Sequence, residues 1–140
     1  ELRPVLEWKT QITFLKEVPA QTGLSYGHVF HTRQPSLIAT VPVGYGDGLS
    51  RNLTNNMDML VQGVRCPQVG RITMDQSLLD VSHLRGKVNQ GDEVIIIGQH
   101  GKEKITADEL AIKLGTINYE VVTSIAQRVN RIVVKPKNRS

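Results

Sequence analysis

Cysteine is nearly absent: Cys66 is the single one among 140 residues. No internal disulfide can form, a zinc site built on paired thiolates is excluded, and a reducing, cytoplasmic setting is the expectation. Aromatic residues are scarce too, with one Trp, two Phe and three Tyr. Single-strand nucleic-acid binders interleave stacking aromatics with basic residues. The basic cluster Arg128, Arg131, Lys135, Lys137 and Arg139 lacks that interleaving and reads as a solvated end, so no nucleic-acid partner is expected. No apolar run approaches the roughly 20 residues that cross a bilayer, and no membrane segment is expected. The start, Glu1-Leu2-Arg3-Pro4, has neither Met nor a basic stretch leading into an apolar one, and it reads like an excised piece. There is no P-loop and no GxGxxG pattern. His28, His31, His83 and His100 are too scattered for a metal site, so the expected metal is none.

What remains is an ordinary globular composition sized for one domain over residues 1–140, able to bury roughly 68–70% of its unfolded surface. Residues 5–18 alternate with period two and predict one half-buried strand, closed by Pro19 and Gly23. A second extended segment is predicted to carry Tyr26, His28 and Phe30 on one face. Residues 37–43 read as a covered strand ending at Pro42. Residues 57–66 read as a hairpin turning at Gln62-Gly63, 69–81 as further extended chain, and 93–98 as a strand.

After Gly101 the periodicity changes. Thr106-Ala107-Asp108-Glu109 fits a capping box and Gly115 a stop, predicting a helix over 106–114. Asn118 or Thr116 can cap a second helix with Val121, Val122, Ile125 and Val129 as its apolar stripe, and 131–135 reads as a last strand. Six to eight strands and two late helices without βαβ alternation point to a β-barrel or sandwich with a helical pair.

The residues that could do chemistry are polar groups set in apolar surroundings. Tyr26, Tyr45 and Tyr119 each sit where glycine or a helix start interrupts an apolar run. A phenol can move protons only with a partner that exchanges them, and Tyr26 has none nearby in sequence. His28 is as consistent with packing. Arg71 and Asp75, like Asp47 and Arg51, are either simple surface pairs or part of a site. Tyr119 falls in the first turn of a helix, where an anion or an aromatic staple would both fit. On spacing alone the chain is a β-rich domain with unexplained tyrosines and arginines.

Four stretches taken together resemble a known family. They are Leu24-Ser25-Tyr26-Gly27, then Val43-Gly44-Tyr45-Gly46-Asp47-Gly48 with Arg51, then Val69-Gly70-Arg71-Ile72-Thr73-Met74-Asp75-Gln76, and Gly115-Thr116-Ile117-Asn118-Tyr119-Glu120 with Arg128-Val129-Asn130-Arg131. In this order they are similar to the C-terminal domain of alanine racemase, across essentially the whole chain. The resemblance implies a mainly β fold, a compact Greek-key-like β-barrel with two short helices near the C-terminus. It implies pyridoxal 5'-phosphate (PLP), bound mainly by an N-terminal (β/α)8 barrel absent from this chain, a head-to-tail homodimer sharing its site across subunits, a small amino-acid substrate, and D-alanine supply for peptidoglycan. By motif match Tyr26 is the tyrosine acid/base opposite the cofactor-bearing lysine. Met74 meets the substrate carboxylate through its backbone N–H, Tyr45 narrows the inner entryway, and Tyr119 helps hold the cofactor phosphate. Arg51, Arg71, Asp75 and Ile117 line the corridor outside.

Four positions depart from the family pattern: His28-Val29 where Arg-Thr is usual, Gly46 in place of alanine, and Gln21 where glycine is common. His28 bears on hydrogen bonding near Tyr26. The fragment alone is expected to be inactive, lacking the lysine and cofactor cradle. A serine/alanine racemase domain and a non-catalytic β-barrel binding module are the alternative readings, separable by substrate kinetics and by what the reading frame encodes upstream.

Overall fold

A computed structural model describes residues 2–135. The alternation of residues 5–18 does not form one strand: β1 (Trp8–Gln11) and β2 (Phe14–Val18) lie in different sheets. At the corner the Ile12 N–H donates to the Asp92 carbonyl, while that of Thr13 donates to Thr40. Neighbouring residues therefore bond to different strands, and the inward phase changes. Trp8 and Ile12 are buried, Phe14 is exposed, and Leu15 takes the place against the core.

β2 pairs with β5 (Ser36–Val41), which pairs in turn with β8 (Ser77–Asp80), all antiparallel. The other large sheet runs β1, β9 (Glu93–His100), β6 (Asp58–Val61) and β7 (Val64–Pro67), with β10 (Glu103–Ile105) also on β9. A bridge between Gln68 and Leu79 connects the far edges of the two sheets. The β6–β7 hairpin turns at Gln62-Gly63 as the sequence predicts, with φ of 53° and 76°. Two successive left-handed residues give the turn whose twist matches the flanking strands. Between the sheets, Ile12, Val41, Met59, Leu60, Leu79 and Ile96 anchor one apolar core.

Residues 69–81 are only partly extended. β8 begins at Ser77, and the preceding stretch is a surface loop held by a tight turn in which the Thr73 N–H donates to the Gln76 carbonyl at 3.0 Å. A pair of two-residue strands, β3 (Gly23–Leu24) and β4 (Phe30–His31), flanks the turn that holds Tyr26. Leu24 packs there with Val18, Ile38 and Val69 in a second apolar cluster. Tyr26 thus lies on a 3₁₀ turn, not on the predicted strand.

Helix α1 (Ala107–Leu114) carries the predicted cap: the Thr106 hydroxyl accepts the Glu109 N–H at 3.1 Å, and Gly115 closes it at φ 69°. α2 (Asn118–Thr123) starts from Ile117, which has no side-chain oxygen to cap with. Asn118 instead donates to Asp108 at 2.7 Å, tying α2 to α1. Of the predicted stripe, Val121 and Ile125 are buried, Val129 packs on the core from beyond the helix, and Val122 is exposed. The strand predicted over 131–135 has no ladder partner among the described residues, and Ile132, Val133 and Val134 are exposed. Lys137 and Arg139 lie outside the described residues.

Helix α1 is fastened to the sheet by Arg65 on β7. Its guanidinium donates to Glu109 at 2.6 Å, Glu103 at 3.1 Å and Asp58 at 3.3 Å. The Arg65 hydrogen bond holds the Glu109 carboxyl below its ordinary value of 4.5, against an opposing effect of burial. A carboxylate depressed by folding stabilises fully above its unfolded pKa and loses that contribution as pH falls through the folded one. Arg65→Met is expected to cost about 2 kcal/mol near neutral pH. Its stability in urea should then fall less steeply than that of the parent as pH drops below 4.5. Parallel curves would show that the pairing contributes nothing.

Candidate functional site

The stretches singled out in the sequence form contiguous surface loops. The turn at Tyr26 is held in a contorted backbone, with Ser25, Gly27 and His28 at φ of 63°, 74° and 45°. Non-glycine residues in this region persist only where neighbours impose it. Here the neighbour is the loop before β8. The Ser25 hydroxyl donates to the Arg71 carbonyl at 2.6 Å, and the Arg71 guanidinium lies over Gly27, with Nε 3.5 Å from where a Cβ would stand. Gly70, at φ 77°, lets the loop approach, since a Cβ there would be 2.8 Å from that of Ser25. Tyr26 and His28 belong to one 3₁₀ turn and so do not share a strand face; the His28 ring packs edge-on to His31 at 6.3 Å.

The same loop carries the Tyr45 turn. The Tyr45 N–H donates to the Thr73 carbonyl at 3.0 Å and the Gly46 N–H to the Met74 carbonyl at 2.8 Å. Among the described residues the Met74 N–H has no acceptor. The Arg51 guanidinium carbon stands 6.0 Å from the Tyr45 ring centroid, at the outer reach of a cation–π contact. Tyr45 also lines an open depression of about 360 Å³ together with Thr116, Glu120 and Val121. That depression joins the Tyr45 turn to the α1–α2 corner, where Ile117 and Tyr119 are exposed.

The acids and bases do not pair as their sequence spacing implies. Asp75 pairs with Arg128 at 2.8 Å, not with Arg71, and Asp47 pairs with Arg128 at 2.8 Å, not with Arg51. Arg51 and Arg71 stay outside any salt bridge among the described residues, leaving positive charge for an anion. Arg131, likewise read as solvated, donates to the carbonyls of Ile125, Ala126 and Val129 and caps the chain after α2. Arg128 and Arg131 are thus both engaged rather than solvated, and for Arg128 the sequence held a clue. The available signal was Gly46, whose missing side chain makes room for it.

Supporting residues went unnoticed in the sequence. Gln68 is buried; its amide donates to the Gly70 carbonyl at 2.7 Å, and its oxygen accepts the Asn55 N–H at 2.8 Å. The Asn55 Oδ1 in turn accepts the Gly70 N–H at 2.7 Å, so the base of the loop is fixed from both sides. A buried Gln between apolar strands is the pattern that could have revealed this. Cys66 is buried, and burial foremost pushes its thiol up to about 12, so it is no nucleophile at neutral pH.

Three phenols stand out on this surface. Tyr26, Tyr45 and Tyr119 are 78%, 44% and 73% exposed, and none of their hydroxyls has a hydrogen-bond partner among the described residues. Tyrosine gains most where its ring is covered and its hydroxyl paired, and here both are left open. None of the loops at 23–31, 44–54, 68–76 and 115–120 contains a lysine. They offer phenols, backbone N–H groups and guanidinium charge, which fit the edge of an anionic cofactor but cannot bond to it covalently through an amine.

Residues 5–133 match the family model described as alanine racemase, C-terminal domain. A protein named alanine racemase 2 from Caldanaerobacter subterraneus is 50% identical over 96% of this chain and 34% of its own length. An alanine racemase from Halothermothrix orenii is 51% identical over 94% and 34%. The crystal structure of alanine racemase from Bacillus anthracis with bound L-Ala-P superposes with a TM-score of 0.91 at 41% identity, covering 96% of this chain and 34% of that one. The chain thus spans about a third of the length of the curated relatives it matches.

Proposed function

The chain belongs to the alanine racemase C-terminal domain family, and from that premise we propose that it supplies half of the catalytic apparatus of a racemase interconverting L- and D-alanine. The observation that carries this reading is the Tyr26 turn, a backbone held contorted by Arg71 and Ser25 so that an unpartnered phenol is displayed to solvent. Inverting an α-carbon requires a proton removed from one face and another delivered to the opposite face. Tyr26 serves one face, and a group on the (β/α)8 barrel serves the other. PLP, held mainly by that barrel, supplies the electron sink that makes the α-proton acidic.

The remaining residues orient and enclose. The unpaired Met74 N–H binds the substrate carboxylate, Tyr45 narrows the passage beside it, and Tyr119 donates its hydroxyl to the cofactor phosphate. Arg51, Arg71, Asp75 and Ile117 line the way in, with the two free guanidinium groups drawing a carboxylate inward. Because Tyr26 needs a proton-exchanging partner that its own loops lack, the complementary surface belongs to the barrel of a second subunit in a homodimer. The product D-alanine serves peptidoglycan synthesis in the cytoplasm. Among the described residues no helix is long and apolar enough to cross a membrane.

The isolated chain, given PLP and L-alanine, is expected to form no D-alanine, whereas the same chain joined to its upstream barrel racemises alanine. Turnover by the chain alone would overturn the division of labour. A full-length enzyme acting on serine but not on alanine would overturn the substrate.

A further inference from the structure

The Met74 N–H can bind a carboxylate only if its direction is fixed, and its peptide group is fixed from the other side. A peptide unit is planar and trans, so holding the Thr73 carbonyl against the Tyr45 N–H aims the Met74 N–H the opposite way. The next carbonyl, that of Met74, is held by the Gly46 N–H. Both anchors belong to the Tyr45 turn, and that turn is closed by Asp47, whose Oδ2 accepts the Gly44 N–H at 3.0 Å.

Arg128 joins all of these parts. Its Nε donates to Asp47 Oδ1 at 2.8 Å, and its Nη2 donates to Asp75 Oδ1 at 2.8 Å and reaches the Met74 carbonyl at 3.4 Å. The Ala126 N–H donates to the Asp47 carbonyl at 2.9 Å, fixing the segment that delivers the arginine. The guanidinium lies against the α-carbon of Gly46, where a Cβ would stand 2.4 Å from Nη2 and 2.9 Å from Cζ. Gly46, one of the departures from the family pattern, is what gives the clamp its room.

We propose that Arg128 is a positioning residue for the substrate carboxylate: bridging Asp47 and Asp75, it locks the Tyr45 turn to the Met74 loop and so aims the Met74 N–H. The proposal rests on the racemase reading above. It requires a planar fork that donates in two directions; a lysine ammonium on a flexible stem cannot hold both carboxylates in one geometry.

The test uses the full-length enzyme, with KM and kcat for both alanine enantiomers and inhibition by acetate, a carboxylate with no amine. Arg128→Ala is expected to raise KM for both enantiomers about tenfold and weaken acetate to a similar degree, with kcat falling less than about threefold. Arg128→Lys should not restore KM. Gly46→Ala, which crowds the guanidinium, should raise KM on its own and add little in the Arg128→Ala background, as residues acting through one contact do. Thermal midpoint and PLP absorbance monitor folding and cofactor loading. An unchanged KM, restoration by lysine, or a KM rise that merely follows loss of the midpoint overturns the proposal. A parent enzyme that fails to racemise alanine overturns the racemase reading instead, so the two failures are distinguishable.

Discussion

Tyr26→Phe in the full-length enzyme is expected to lower racemisation about 10²–10⁴-fold, the usual contribution of a positioned acid or base. The thermal midpoint and PLP absorbance should hardly change. The fold has no stake in this hydroxyl: the residue is 78% exposed and its oxygen has no partner among the described residues. What holds the turn is Ser25 on the Arg71 carbonyl, together with Leu24 in the smaller apolar cluster, and the substitution leaves both alone. With Tyr26 as the proposed acid/base, its oxygen would accept the proton in one direction and return it in the other, so both directions should slow together.

A sharper readout is exchange of the α-proton in D₂O. The group on the opposite face still attacks the enantiomer whose proton points its way. One enantiomer should therefore exchange without inverting, while the other does neither. Racemisation within tenfold of the parent in both directions would remove Tyr26 from the chemistry, and loss of PLP absorbance would reassign it to cofactor binding.

Features decided by a few neighbouring residues were legible in the sequence. Gln62-Gly63 turns the hairpin because Gly63 enters the left-handed region without penalty, and Thr106 caps α1 through a bond three residues long. Features decided by distant partners were not. The alternation of residues 5–18 persists through a corner because each half faces its own sheet, and nothing local marks the change at Thr13. Residues 131–135 have strand composition, yet a strand needs a partner that the described residues do not provide.

The candidate site divides along the same line. Its motifs were visible as residue types, the resemblance singled out Tyr26, Tyr45, Met74 and Tyr119, and all four are exposed in the structure. Their geometry depends on the loop before β8, which reaches back 46 residues to Ser25, and on Arg128, which reaches 81 residues to Asp47. A run of basic residues looks solvated whenever its acids are that far away. Gly46 was an unexplained departure until Arg128 was seen against it.

Gly44→Ala is expected to be severely damaging despite adding only one methyl group. Its backbone is extended, at φ −156°, so alanine meets no conformational penalty there. The cost is purely one of space: a Cβ would stand 2.0 Å from the Thr73 carbonyl oxygen and 2.6 Å from the Met74 carbonyl group, all backbone atoms that cannot swing aside. Relief requires the two segments to part, which removes the Tyr45–Thr73 and Gly46–Met74 hydrogen bonds together. Overpacking with loss of two partly buried bonds amounts to about 3 kcal/mol or more. Gly101→Ala is the control, for the opposite reason. Its φ is +62° but nothing lies within 4 Å of its Cβ, so only the left-handed backbone is penalised, by about 1–2 kcal/mol. In urea, Gly44→Ala should therefore unfold at the lower concentration of the two. At a concentration where both full-length variants remain folded, it should also have lost about a hundredfold in kcat/KM, as misplacing a binding group by about 1 Å does, while Gly101→Ala keeps the parent value. Equal destabilisation of the pair would mean the loop yields freely. Parental kcat/KM in Gly44→Ala would mean that the junction of Thr73 and Met74 with the Tyr45 turn does not set the geometry of catalysis.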